Sequence, residues 1–522
     1  MMSHNNHHSN EIPIVQGTAV DYHAAPGQDY YYQGGGHNNN NDNSSTSAWA
    51  DEGKLYSTAE LRQQRQDPPR QYKDFVWAVI FVSQLVLVIF MSLYLIGTQQ
   101  QQGNYNNAQQ QQSYGGVFGV VGVCGFLSIG LVMASFAFMM KHAEVLVQAA
   151  LMFSVATSAF LGIIGLLTGN LLMGVLGCVS GVIGCCYAYF VWKRIPFAAA
   201  NLKTALTAVR ANMGLLVVAL LVSAVAMGWS VLWFLGVGQA LHSESLFVVF
   251  LLFLSYYWTH EVLRNTVHVT TAVSSYKYIP TAMACFQVSF VLFSSLQQGV
   301  VGTWWFVPAE ADSNFSPALR DSWGRATTFS FGSICFGSFL VALVRSLRAL
   351  ERHARGNDDL SALRCIIQCI LSCIESIIEY FNQWAYVYIG LYGMSYIEAG
   401  RNVLHLFEQK GWTVIITDDL ADNVLFMMSV GIALFCGLVG WIWGTTDPNL
   451  LVGWDDSAGP AFMIAFIVGL LLSSIMLGVV NSAINTVIVC YADAPGEFQM
   501  NHPELSGEMR MAWTQAWPGL VN

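Results

Sequence analysis

Ten uninterrupted apolar runs, most of them long enough to cross a bilayer, constrain this chain more than any other feature. They fall at 75–96, 117–140, 145–167, 171–192, 213–235, 245–270, 281–303, 326–344, 423–445 and 459–490. A helix rises about 1.5 Å per residue, so roughly 20 residues cross the ~30 Å hydrocarbon layer. The runs are continuous rather than alternating, unlike the strands of a membrane barrel. Helices also keep their backbone hydrogen bonds internal, as lipid requires. Only 10% of the 522 residues are charged, against about 25% in a soluble domain whose whole surface faces water. The chain is read as an all-α integral membrane protein with about ten transmembrane helices.

Three regions follow. Residues 1–73 are rich in Asn, Gln, His, Gly and Tyr and poor in aliphatics, so they cannot offset their ordering entropy and are expected to be a disordered polar tail. His4, His7 and His8 belong to that low-complexity composition, with metal binding the minor reading. Residues 74–491 form the transmembrane domain, and 492–522 a cytoplasmic C-terminal tail. The first run follows a polar tail and is too long for a cleaved signal segment, so it stays as an anchor.

Lysine and arginine set the threading, because positive loops remain cytoplasmic. With the N-terminus inside, 20 of the 22 basic residues fall on the inner side and only Arg320 and Arg325 fall outside. Trp304, Trp305, Trp443 and Trp454 then lie near outer ends, where indoles favour the headgroup layer. The apolar stretch 374–395 is flanked by basic sequence on both sides and contains Glu375, Glu379, Asn382 and Gln383. It is read as a re-entrant or membrane-lying cytoplasmic helix rather than an eleventh span. Ten spans return the C-terminus to the cytosol.

Charge is nearly absent from the spans, with one exception. Within 245–270, Tyr257, Trp258, Glu261, Arg264, Asn265 and His268 fall within an arc of about 120° when plotted at 100° per residue. A charge at membrane depth costs roughly 2.5–3.5 kcal/mol on insertion scales, so it usually faces a partner or a wet cavity. The competing reading is that Glu261 and Arg264 lie close to the inner interface and snorkel. Gln84, Gln287, Asn481 and Asn485 are weaker candidates; Asn481 and Asn485 share a face at i, i+4, and interhelical hydrogen bonding accounts for them equally well. Gly174, Gly177, Gly181 and Gly184 read as a close-packing stripe.

Several chemistries lack support. No basic stripe exists for nucleic acid. Neither a His-Glu-x-x-His nor a phosphate-binding Gly-x-x-x-x-Gly-Lys motif is present, so no enzyme, metal or cofactor is expected. The 11 cysteines are scattered and read mostly as small packing residues. Cys365, Cys369 and Cys373 repeat every four residues, a pattern open to acylation or to plain burial against the bilayer. Asn314 heads a glycosylation sequon in an expected outer loop, followed closely by Pro317.

The pieces RIPFAAANLKTA (194–205), YYWTHEVLRNTVHVT (256–270), FGSICFGSFLVALVR (331–345), FNQWAYVYIGLYGMSYIEAGR (381–401) and DDLADNVL (418–425) resemble the choline transporter-like family, particularly its fungal and plant-type members. The resemblance implies ten spans with cytoplasmic ends and transport at the plasma membrane, choline being the substrate of animal relatives. It departs from the animal pattern after span one, where a large cysteine-bearing outer domain is replaced by the Gln/Asn-rich 97–116. A quaternary ammonium donates no hydrogen bond and is held by aromatic faces and a carboxylate; Tyr256, Tyr257, Trp258 and Glu261 supply both within a turn and a half. The sequence thus points to a transporter of a small solute, an organic cation such as choline, in contact with membrane lipid. The alternative is a scaffold or lipid-regulating membrane protein acting through 345–422.

Overall fold

A computed structural model describes residues 71–102, 115–169, 171–236, 246–272, 301–311, 317–353, 361–411, 420–447, 450–451 and 457–517. Among the described residues the regular structure is entirely helical. The helices are α1 Phe75–Gln102, α2 Gly115–Lys141, α3 Ala143–Leu167, α4 Leu171–Val191, α5 Ile195–Ala211, α6 Gly214–Gly236 and α7 Leu246–Ala272. Then come α8 Val301–Phe306, α9 Pro308–Ala311, α10 Pro317–Thr327, α11 Phe331–His353, α12 Ser361–Tyr392 and α13 Tyr396–Gln409. The chain ends with α14 Leu420–Thr446, α15 Ala458–Asp493, α16 Pro495–Asn501 and α17 Pro503–Ala516.

Nine of these segments are long and apolar enough to span a membrane, and they match nine of the ten expected runs. The remaining run, 281–303, lies outside the described residues except for the three that open α8. The tail residues His4, His7 and His8, together with Gln287, Asn314 and Trp454, also lie outside them. Large apolar side chains on the long helices face outward, among them Phe126 at 81% and Phe190 at 75% exposure. Lipid is the solvent that tolerates such a surface.

Small residues bring neighbouring helices together. The glycine stripe of α4 lies on α3: a Cβ on Gly162 would stand 2.7 Å from the Cys178 nitrogen, and one on Gly177 2.5 Å from the Gly162 nitrogen. The packing reading of these glycines holds. A second glycine-lined contact joins α14 to α15, where a Cβ on Gly440 would meet the Ala461 carbonyl oxygen at 2.6 Å. At the end of α4 a short 3-10 turn, Trp192–Arg194, precedes Pro196 at the start of α5. Proline fits a first helical turn because its missing N–H is not needed there.

The stretch 374–395 is not among the nine span-length helices. It forms most of the second half of α12, whose residues from Trp384 to Tyr392 are buried without interruption. Gly393, at φ 66°, makes the turn, and Ser395 and Glu398 form a capping box that starts α13. The return helix packs on α12, with Tyr396 5.4 Å from Phe381 between ring centroids and Phe407 5.1 Å from Trp384. A helix–turn–helix folded into the protein interior is the result.

Five contacts correct the expected threading. Trp305 stacks on Phe498 at 3.9 Å and Trp304 on His502 at 4.0 Å, and Trp305 Nε1 donates to Ala494 O (3.1 Å). Asn212, where α5 meets α6, donates to Ala311 O (2.5 Å). The Lys73 amide, at the entrance to α1, donates to Phe329 O (3.2 Å). Residues 301–311 and 317–329 therefore belong beside Lys73, Asn212 and Ala494, points that the charge count assigns to the inner face. Trp304, Trp305, Arg320 and Arg325 cannot mark the opposite face under that assignment. Counting spans treats every apolar run as one crossing, and an indole covered by protein reads in sequence like one in the headgroup layer.

The region expected as a C-terminal tail is structured as far as Trp517. Trp513 is fully buried and donates to Asn201 Oδ1 of α5 (3.0 Å). Lys203 pairs with Glu508 at 2.5 Å, and the Arg194 guanidinium lies 4.1 Å from the centre of the Trp517 ring. Helix α17 and the Trp517 that follows it thus clasp α5 and its entry.

Candidate functional site

The polar arc of α7 faces two elements, α11 and α12. Glu261 is 2% exposed, which removes the snorkelling reading for its carboxylate. Oε1 accepts from Arg345 Nη1 of α11, and Oε2 lies 2.8 Å from Arg264 Nη2, one turn along α7. Arg345 also donates from Nε to Glu375 Oε1 (2.7 Å) and from Nη2 to Glu379 Oε1 (2.5 Å), both on α12. Arg348, one turn beyond Arg345, meets Glu375 Oε2 at 2.7 Å and donates to Ser372 Oγ at 2.6 Å.

Three carboxylates and three guanidinium groups thus form one cluster. Arginine suits the centre because its planar fork presents several donors in fixed directions. Removing one member of such a buried pair is far more damaging than never having built it, since the partner charge stays desolvated. Among the described residues no group of His, Cys, Asp or Glu is placed to hold a metal ion. Arginines are the counter-charges that these glutamates meet.

Neutral hydrogen bonds extend the site along α12. Asn265 Nδ2 donates to Ser338 Oγ (3.0 Å) and to Tyr386 Oη (3.2 Å). Half-buried His268 stands with its ring 5.9 Å from that of Tyr386. Gln383 Nε2 donates to Asn485 Oδ1 of α15 (2.8 Å), so Asn485 joins the site through α12. Asn481, one turn earlier, has a buried side-chain oxygen without a hydrogen bond among the described residues. Asn382 Nδ2 donates to Gly337 O (3.2 Å), and its Oδ1 accepts from Tyr396 Oη (2.5 Å). Burial pushes the Tyr396 phenol up, which keeps it a protonated donor.

The aromatic trio divides. Trp258 turns toward α1 and α11: its Nε1 donates to Cys335 O (2.9 Å), and its ring lies 5.3 Å from Phe81 and 5.1 Å from Phe339. Tyr256 turns toward α6, 5.1 Å from Trp233, with His260 4.7 Å away. Tyr257 is half-buried, 5.4 Å from Tyr256. Consecutive helical residues point 100° apart, so Tyr256, Tyr257 and Trp258 form no common cage around Glu261 in this conformation. Gln84 reaches Thr259 Oγ1 at 3.4 Å.

A model of the plasma-membrane choline transporter family matches residues 175–296 and 285–495, well over half the chain. The chain belongs to this family. Among fungal relatives, Protein PNS1 of Mycosarcoma maydis is 25% identical over 497 residues, covering 88% of this chain and 86% of the relative. Protein PNS1 of Gibberella zeae is 26% identical over 352 residues, and the match spans only 59% of that relative. Protein PNS1 of Cryptococcus neoformans is 23% identical over 552 residues, covering 98% of this chain. The segment matched to the choline transporter family holds every member of the ionic cluster and ends at 495, where α16 begins and before the α17 that clasps α5.

Arg345, Arg348, Glu375 and Glu379 are the members that sequence reasoning did not place in the site. The expected span 326–344 stops one residue short of Arg345, which was counted as a loop cation. Glu375 and Glu379 were taken only as a reason to deny a full crossing. A signal was available: Arg345 and Arg348 lie on one helical face, and Glu375 and Glu379 on another at i, i+4. Two short faces of opposite charge within one helical hairpin are candidates to pair.

Proposed function

We propose that this chain carries a small organic cation across the plasma membrane, with choline the first substrate to test. Membership in a transporter family supports the general reading. The observation that supports the cation is Glu261, a carboxylate buried in a span-length helix and shared between two arginines. An organic cation of the quaternary type keeps its charge at every pH and needs a carboxylate, aromatic surface, or both, to leave water. Glu261 supplies the first, and Tyr257 lies one turn before it on the same face.

The scaffold reading gains nothing from the geometry. The segment 345–422 contributes four members of the cluster and buries its aromatic run within the helices, so its first two helices belong to the transporter body.

The test is uptake of labelled choline by the purified full-length protein in liposomes. Glu261→Gln is expected to lower uptake at least about tenfold, the scale of one lost charge contact at a binding site. Glu261→Asp, which keeps the charge, retains a measurable part of it. A wild-type protein that moves no cation across a panel of amines sinks the reading. A fluorescent fusion confined to internal membranes would remove its plasma-membrane half.

A further inference from the structure

The three arginines of the cluster are not held alike. Arg345 is 25% exposed and donates to three carboxylates. Arg348 is 21% exposed and is fixed by Glu375 and Ser372. Arg264 is 57% exposed, lies 2.8 Å from Glu261 Oε2, and reaches only 4.0 Å from Glu379. Its approach to Glu261 is close but not aligned as a hydrogen bond, so the buried Oε2 has no hydrogen-bond partner among the described residues.

Counting charge sharpens the difference. Glu261, Glu375 and Glu379 carry three negative charges, and the two firmly held arginines carry two positive ones. One negative charge is left over in a group whose most buried carboxylate, Glu261, is 2% exposed. Arg264 neutralises it from the open side of the cluster. With its guanidinium largely in the open and no aligned hydrogen bond to Glu261, Arg264 is the most loosely held of the three, whereas an unneutralised buried carboxylate is strongly disfavoured.

We propose that Arg264 is a built-in competitor for the cation site, occupying Glu261 when no substrate is bound and yielding that carboxylate to an incoming monovalent organic cation. This rests on the transport reading above and adds the residue that sets affinity. A guanidinium and a quaternary ammonium are both weakly hydrated cations with dispersed charge, so one replaces the other without a change in the net charge of the cluster. Neutral solutes cannot make that exchange. A divalent cation would leave the cluster overcharged by one unit. The tether also has a use in a carrier: it supplies a satisfied state of Glu261 for the empty protein, which must reorient without substrate.

Uptake kinetics in liposomes test the idea. Arg264→Gln is expected to lower the KM for choline about fivefold, the relief that follows from removing a competitor worth roughly 1 kcal/mol. Arg264→Lys, which keeps a cation on a shorter and less extended head group, should fall between that variant and the wild type. Methylguanidinium added to the medium should inhibit Arg264→Gln more strongly than the wild type, because it can take the vacated place. If Arg264→Gln fails to fold, the Lys variant and the methylguanidinium inhibition of the wild type carry the test. An unchanged or raised KM in every folded variant, or equal methylguanidinium inhibition of both proteins, overturns the proposal. Absence of cation uptake by the wild type instead overturns the transport reading itself, an outcome visible before any variant is made.

Discussion

The ionic cluster of α7, α11 and α12 and the glycine contact of α14 with α15 both hold helices together, by opposite means. In the first, long charged side chains make the contact, and Arg345 joins three helices with three charge-assisted contacts. In the second, side chains are nearly absent and backbones meet directly, as Gly440 against Ala461 and Gly469 against Cys436 show. Lipid offers no hydrophobic gain for bringing helices together, so packing and polar contacts must supply the attraction. The glycine contact is permanent by construction, because nothing in it can be exchanged. The cluster contains a member, Arg264, that can be.

Four variants test this contrast, in order of expected effect. Arg345→Met leaves three carboxylates in place without their central cation and is expected to destabilise the protein by about 3–5 kcal/mol, read as loss of the monodisperse species in detergent on mild heating. A variant as stable as the wild type would make the cluster dispensable to the fold. Gly440→Val forces α14 away from α15 and should cost about 1–3 kcal/mol through overpacking. Its unfolding midpoint should drop while the KM of the surviving protein stays unchanged; a changed KM would mean the two regions are coupled. Asn265→Ala removes the donor shared by Ser338 and Tyr386, a loss of about 1 kcal/mol in thermal unfolding. Glu379→Gln changes the carboxylate at the exposed edge, 37% exposed, so its effect on stability should stay within about 1 kcal/mol and shrink as salt is raised. A larger, salt-insensitive loss would place Glu379 among the buried members instead.

The clasp of α17 on α5 shows a different limit of sequence reading. Residues 492–522 look like a polar tail because α17 has mixed composition and no long apolar run. Yet Trp513 is fully buried, between Asn201, Phe197 and Tyr491. A buried indole, with Glu508 and Trp517 on either side of it, holds a short helix in place, and no periodicity announces it. The same blindness misplaced Trp304 and Trp305: two indoles invite a headgroup reading until Phe498 and His502 are found stacked on them.

Sequence alone determined that the chain is helical and membrane-embedded, where nine of its spans run, that Gly174, Gly177, Gly181 and Gly184 form a close-packing stripe, and that Tyr257, Trp258, Glu261, Arg264, Asn265 and His268 share one polar face. These follow from local rules, since hydrophobic length, helical periodicity and the absence of a Cβ each act within one segment. Only the tertiary structure decided that Glu261 is paired rather than snorkelling, that its partners are Arg345 and Arg264, that Trp258 and Tyr256 turn to different neighbours, and that 301–329 lies beside Lys73 and Ala494. Each of those depends on which distant segment arrives opposite a given face. Charges close to neutral in sum carry no address for one another along the chain; packing supplies it.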